Sequence, residues 1–268
     1  LARWTKNERF AWDCYRRFLT IFGDVVLGIE RRAFDGPLDE AKASTGARSD
    51  AEVPPPALRD LVARYKALIQ EKTGRLFPQD PGEQLRLAVQ AVFDSWFAKK
   101  AVDYRRINHL ADDWGTAVTV MAMVFGNLGD TSGTGVAFSR NPSNGDPHFF
   151  GEFLVNAQGE DVVAGIRTPE PLTTLKANLP KVYRDLSSIK DRLERHYRDM
   201  QDIEFTVQEG PLFILQTRSG KRTAGAAVRI AVEMVRERMI DRSTALGRID
   251  AASLQQLLVK TVDPSARY

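Results

Sequence analysis

Cysteine is almost absent: Cys14 stands alone among 268 residues. A single thiol makes no intrachain disulfide and no thiolate cage for zinc, and such a count suits a reducing compartment such as the cytoplasm. Histidine is scarce too, and His109, His148 and His196 lack metal-ligand spacing with one another. No apolar run approaches the ~18–20 residues of a membrane span, and no signal peptide opens the chain. Neither sign of charge dominates, since 38 Lys and Arg against 35 Asp and Glu leave +3. The signs alternate, as in Asp191-Arg192-Leu193-Glu194-Arg195, which marks solvated helix faces rather than a nucleic-acid surface. Two phosphate-binding fingerprints are also missing. Gly220-Lys221 is followed by Arg222 and has Leu215 where a P-loop needs its first glycine. The one glycine-rich stretch leads toward a strand, not a helix, so it is no G-x-G-x-x-G dinucleotide turn either.

What is present is an ordinary globular composition, 43% hydrophobic, long enough for one large domain or two small ones. Phe10, Trp12, Tyr15, Phe18, Leu19 and Phe22 fall near helical spacing and predict an amphipathic helix over 7–22. Residues 37–56, polar and ending in Pro54-Pro55-Pro56, read as a linker. Helices are expected over 57–72, stopped by Gly74, and over 82–99. The tryptophans and Cys14 are assigned to packing. The run Ala117-Val118-Thr119-Val120-Met121-Ala122-Met123-Val124-Phe125 predicts a buried strand. A loop rich in glycine and hydroxyls covers 126–135, followed by strands at 136–140 and 148–155 and a short one at 161–164. A charged helix over 181–200 precedes a hairpin of strands 203–207 and 212–218. Helices over 224–239 and 251–262 close the chain, which opens at Leu1 in what reads as mid-helix and so looks like a piece of something larger.

The hairpin carries the most chemistry. Side chains alternate across a strand, so Asp202 and Glu204 share a face, as do Gln216 and Arg218 on the partner. A three-residue turn at Glu209-Gly210-Pro211 places Glu204 opposite Gln216 and Asp202 opposite Arg218. This patch suits either a solvated face with a cross-strand ion pair or a divalent-cation site. Mg²⁺ takes one or two protein oxygens and leaves its remaining positions to water and phosphate, and an arginine beside it can grip a phosphoryl oxygen. The glycine loop likewise reads either as a plain turn or as a backbone cradle for polyphosphate.

Together these strings resemble the nucleotide-binding part of the pyruvate, phosphate dikinase family. The matching runs are Trp4-Thr5-Lys6-Asn7-Glu8-Arg9-Phe10-Ala11-Trp12-Asp13, Met123-Val124-Phe125-Gly126-Asn127, Thr131-Ser132-Gly133-Thr134-Gly135-Val136-Ala137-Phe138, Asn156-Ala157-Gln158-Gly159-Glu160-Asp161-Val162-Val163-Ala164-Gly165, Asp202-Ile203-Glu204-Phe205 and Leu215-Gln216-Thr217-Arg218. The resemblance implies an α+β, ATP-grasp-like fold. Its expected parts are a helical subdomain (1–77), part of a first nucleotide lobe (78–124), a grasp lobe (125–221) and a helical linker (222–268).

It further implies a phosphotransferase that binds Mg-ATP and passes the β-phosphoryl group to a histidine on a swivelling domain. The full reaction takes ATP, phosphate and pyruvate to AMP, pyrophosphate and phosphoenolpyruvate. By position, Glu204 and Gln216 are the implied Mg²⁺ ligands, with Asp202 and Arg218 as the catalytic groups beside the triphosphate. Thr134 and Gly135 are implied as the tip of a phosphate-covering loop, and Glu160 as a nucleotide contact. Met121 to Val124 would be a hinge strand offering backbone groups to adenine. The family also uses a lysine and an arginine from a segment expected before Leu1, a histidine expected beyond Tyr268, and a further domain that makes a homodimer. On that expectation the chain alone binds ATP weakly or not at all and turns nothing over. The alternatives are a phosphoenolpyruvate synthase-like or other ATP-grasp enzyme, and a non-catalytic docking module. No membrane and no nucleic-acid partner is implied.

Overall fold

The computed structural model describes residues 1–163 and 167–258. Ala164, expected in a short strand, and the end of the last expected helix lie outside them. The chain divides into two compact units, Leu1–Met121 and Ala122–Tyr268.

The first unit is helical: α1 Ala2–Thr5, α2 Glu8–Ile21, α3 Arg32–Thr45, α4 Pro55–Thr73, α5 Pro81–Ser95 and α6 Lys99–Ile107. Asn7 starts α2 by accepting the Phe10 N–H on its side chain at 2.9 Å. The stripe expected from the sequence then turns Phe10 and Leu19 inward, and Phe22 follows in a short π-helical turn. Leu19 and Phe22 share a core with Leu61, Val62, Tyr65 and Ile69 of α4, with Phe22 edge-on to Phe77 at 5.3 Å. Each such side chain contributes about 1.5–3 kcal/mol on burial. Among them sits a charged pair: buried Asp13 accepts from Arg16 at 2.9 and 2.7 Å and from Arg17 at 3.2 Å. Two readings are corrected here. Residues 37–56 are not all linker, because α3 runs through Pro37 and buries Phe34, Leu38 and Ala41. That burial outweighs the ~3 kcal/mol a mid-helix proline costs. Trp4 and Trp114 are exposed rather than packed.

The second unit is a mixed α/β body on one antiparallel sheet. Its elements are β1 Gly133–Phe138, β2 Phe150–Val155, α7 Gly159–Val163, β3 Glu170–Pro171, α8 Leu172–Asn178, α9 Pro180–Tyr197, β4 Gln201–Val207, β5 Leu212–Ser219, α10 Ala224–Arg236, α11 Arg242–Gly247 and α12 Ala251–Leu258. The strand order is β3-β2-β1-β4-β5. Ala137, Phe153, Ile203, Phe205 and Val207 make the apolar face, covered by Leu172 and Leu175 of α8 and by Val182 and Leu186 of α9. Gly135 pairs with both Phe153 and Phe205, whose rings stack at 6.0 Å across it. A Cβ on Gly135 would stand 2.6 Å from the Phe205 ring and 2.4 Å from the Glu152 carbonyl oxygen, so only glycine fits. Beyond β1, Arg140 binds Glu194 of α9 at 3.0 and 3.1 Å and Glu237, just after α10, at 3.1 Å. Ile230 and Met234 of α10 bury against Met200.

The run 117–125 departs from expectation. It lies in no helix or strand, and Val120, Met121 and Met123 are exposed. An apolar run becomes a strand only where a neighbouring backbone takes its N–H and C=O groups. The sheet's five strands do not include it. At 161–163 the chain is helical, as part of α7, where an extended segment was expected.

Candidate functional site

One face of the sheet is covered by α8 and α9; the other gathers the polar residues. On β4 the even-numbered positions Asp202, Glu204 and Thr206 share that second face. The structure pairs Glu204 with Gln216 and Asp202 with Arg218, the partners the spacing predicts. The turn is not the simple three-residue loop, however. Pairs nearer the turn run Phe205 with Ile214 and Val207 with Leu212, so a bulge between Glu204 and Phe205 takes up one residue of β5.

Arg218 is aimed by its neighbour. Its Nε donates to Asp202 Oδ2 at 2.8 Å, while its Nη2 lies 3.8 Å from Glu204 Oε1. Asp202 is buried and Arg218 about half exposed, so the carboxylate is the fixed partner and the guanidinium end faces outward. The Asp202 hydrogen bond and charge raise the Arg218 pKa above its ordinary value, leaving it a permanent cation. Glu204 is 40% exposed at its side chain and is held by no hydrogen bond to Arg218 at that distance. A half-exposed carboxylate beside an amide carbonyl fits a hard cation that keeps most of its positions for other oxygens. Among the described residues, no three or more His, Cys, Asp and Glu side chains cluster to hold a metal unaided.

Next along the sheet, Thr134 Oγ1 lies 3.1 Å from Thr206 Oγ1, both buried. The resemblance implies that Thr134 and Gly135 form the tip of a loop; the structure places both inside β1, where they pair with Thr206 and Phe205. The glycine loop itself is 126–132, and it is tied down on two sides. Toward the end of β2, Ala157 N–H donates to the Gly126 carbonyl at 2.9 Å, Asn156 N–H to that of Ser132 at 2.8 Å, and Gln158 Nε2 to Asn127 Oδ1 at 2.8 Å. Toward the hairpin turn, Glu209 N–H donates to Ser132 Oγ at 2.9 Å and Gly210 N–H to the Thr131 carbonyl at 3.0 Å. Gly126 sits where this mesh is tightest, since a Cβ there would stand 2.2 Å from the Ala157 carbonyl oxygen. Glu160 lies in the first turn of α7, directly after the mesh. Val124 precedes Phe125, whose N–H donates to Gln208 Oε1 at 2.9 Å; Met121 is the last residue of the first unit.

Ser132, Thr206 and Gln208 were not singled out from sequence. Extending the alternation of β4 past Glu204 reaches Thr206 and Gln208, but their partners at 134 and 125 carry no local signal.

A carboxylate–amide pair and an anchored arginine, with a tied-down glycine loop on the same sheet, are what a polyanionic ligand would need, and the comparisons agree as far as a nucleotide. The family described as "Pyruvate phosphate dikinase, AMP/ATP-binding domain" matches residues 62–188 and 179–239, and the chain belongs to it. More particularly, it is similar to pyruvate, phosphate dikinase of Rhizobium meliloti (strain 1021), with 51% identity over 97% of this chain and 30% of the relative. For the chloroplastic enzyme of Flaveria pringlei the figures are 56%, 98% and 27%. For pyruvate, phosphate dikinase of Clostridium symbiosum they are 50%, 99% and 30%. The chain therefore spans less than a third of the curated relatives it matches. No helix among the described residues is long and apolar enough to cross a membrane.

Proposed function

We propose that the chain is the nucleotide-binding part of a pyruvate, phosphate dikinase, with an ATP-grasp architecture. In that role it holds Mg-ATP while the β-phosphoryl group passes to a histidine on another domain. The observation that carries this reading is the hairpin register, which sets Glu204 against Gln216 and Asp202 against Arg218 on the polar face of the sheet.

Glu204 and Gln216 would hold the Mg²⁺. When bound, the cation neutralises charge developing on the phosphoryl oxygens. Arg218, aimed by Asp202, offers its free guanidinium N–H groups to the same oxygens, and Asp202 keeps it from swinging away. The glycine mesh supplies fixed backbone around the phosphates, so little reorganisation is left for the moment of transfer. Glu160 and the Met121–Val124 backbone would contact the nucleoside. Phosphate and pyruvate are the remaining substrates, and the swivelling phosphohistidine domain and the homodimer interface belong to regions outside this chain. The whole protein is proposed to be cytoplasmic.

Because the chain alone is expected to bind weakly, paramagnetic NMR is the appropriate test. Mn²⁺-ATP should broaden the amides of residues 203–206 and 215–217, and the Glu204→Ala/Gln216→Ala double variant should lose most of that broadening. Equal broadening in both proteins would mean that the hairpin holds no metal.

A further inference from the structure

Gln208 follows directly on Val207, the last residue of β4, at the end of the strand away from Asp202. Along β4 and the residue after it, Asp202, Glu204, Thr206 and Gln208 meet four separate parts of the site. Asp202 anchors Arg218, Glu204 stands opposite Gln216, Thr206 meets Thr134, and Gln208 accepts the Phe125 N–H from 83 residues away. A strand advances about 3.3 Å per residue, so Glu204 stands about 10 Å from Val207 along β4, and Gln208 comes next. That is the scale of a nucleotide with its phosphates extended.

The contact is also well suited to fixing backbone. The turn holds Gln208 through its own N–H, which donates to the Pro211 carbonyl at 3.0 Å. The residue after Phe125, which opens the loop, is tethered as well, since Gly126 accepts from Ala157. Phe125 is thus pinned by the amide of one residue from the hairpin, immediately after the segment assigned to the base.

Resting on the nucleotide reading above, we infer that Gln208 is a positioning residue for the base. Its side chain fixes the Val124–Phe125 backbone and thereby sets the interval between adenine's partners and the cation-holding pair. It touches neither the phosphates nor the cation, so its effect falls on the nucleoside half of the ligand alone.

The test compares Mg-ATP with Mg-tripolyphosphate, each titrated into the chain and followed by NMR. Gln208→Met keeps the length but removes the acceptor; Gln208→Glu keeps an acceptor. Gln208→Met is expected to weaken Mg-ATP about five-fold and leave Mg-tripolyphosphate unchanged, with Gln208→Glu restoring Mg-ATP to within about two-fold. Hydrogen exchange at the Phe125 amide should accelerate in Gln208→Met and not in Gln208→Glu. Equal weakening of both ligands would show general disruption and overturn the assignment. So would faster exchange at Phe125 with Mg-ATP affinity unchanged. A wild-type chain that takes up neither ligand would instead remove the nucleotide reading itself, and the inference with it.

Discussion

Replacing Arg140 by methionine tests how the sheet is joined to its helices. Arg140 is 2% exposed and Glu194 6%, so their charges meet almost out of water. Burial by itself would lower the arginine's pKa, but its hydrogen bonds to Glu237 and Glu194 outweigh that and raise it. Methionine fills much the same space and removes every donor. Glu194 then keeps only the Ser139 hydroxyl, which donates at 2.6 Å. Glu237 is 39% exposed at its side chain and can turn to water. Glu194 cannot, and Glu233, with one buried oxygen already lacking a hydrogen bond, gains nothing. Breaking a buried pair by deleting one partner costs about 3–5 kcal/mol, which for a chain of this size lowers the melting temperature by about 6–20 °C. Scanning calorimetry is the suitable assay, because all four tryptophans lie in the first unit and report poorly on this site. Adding Glu194→Met should recover a large part of the loss, since a buried pair is replaced by apolar groups. Arg140→Lys should fall between, as one ammonium cannot bridge two carboxylates bidentately. A shift below about 2 °C for Arg140→Met, or a double variant less stable than the single, would refute the reasoning.

Two further tests probe the first unit and the mesh. Burial alone would raise the Asp13 pKa, but Arg16, Arg17 and Arg9 outweigh it and hold the group below its ordinary value. A depressed carboxylate contributes stability above its unfolded pKa of about 3.9 and loses it as pH falls toward the folded value. Urea unfolding should therefore lose stability between about pH 5 and pH 2 more steeply in the wild type than in Asp13→Asn, and parallel curves would contradict this. Gly126→Ala should destabilise by about 1–3 kcal/mol because backbone must move, while Gly159→Ala, whose nearest neighbour would be 3.9 Å away, should be neutral or slightly stabilising. Denaturant midpoints of the two variants decide this, and similar losses in both would show that the mesh is not tight at Gly126.

Helix stripes and strand alternation were legible because each depends on near neighbours. The hairpin pairing was readable for the same reason, although the bulge in β5 was not, since one extra residue leaves no mark in composition. Pro37 misled because propensity is local, whereas the burial of Phe34 and Leu38 that overrides it is tertiary. Residues 117–125 misled in the opposite way: an apolar run states what can be buried, not what it pairs with. The mesh at 126–132 joins residues tens of positions apart, mostly through backbone atoms, and backbone atoms have no sequence signature.

The bulge falls on β5 and leaves β4 in unbroken alternation from Gln201 to Val207. That choice bears on which changes in chain length a lineage can accept. An extra residue in β5 between Leu212 and Gln216 leaves Glu204 opposite Gln216 and Asp202 opposite Arg218. A single residue gained or lost within 202–208 would swap every following side chain to the opposite face, sending one end of the polar row into the apolar layer beneath. Insertions and deletions should accumulate on either side of β4 and stop at its borders, whatever happens to the residues within it.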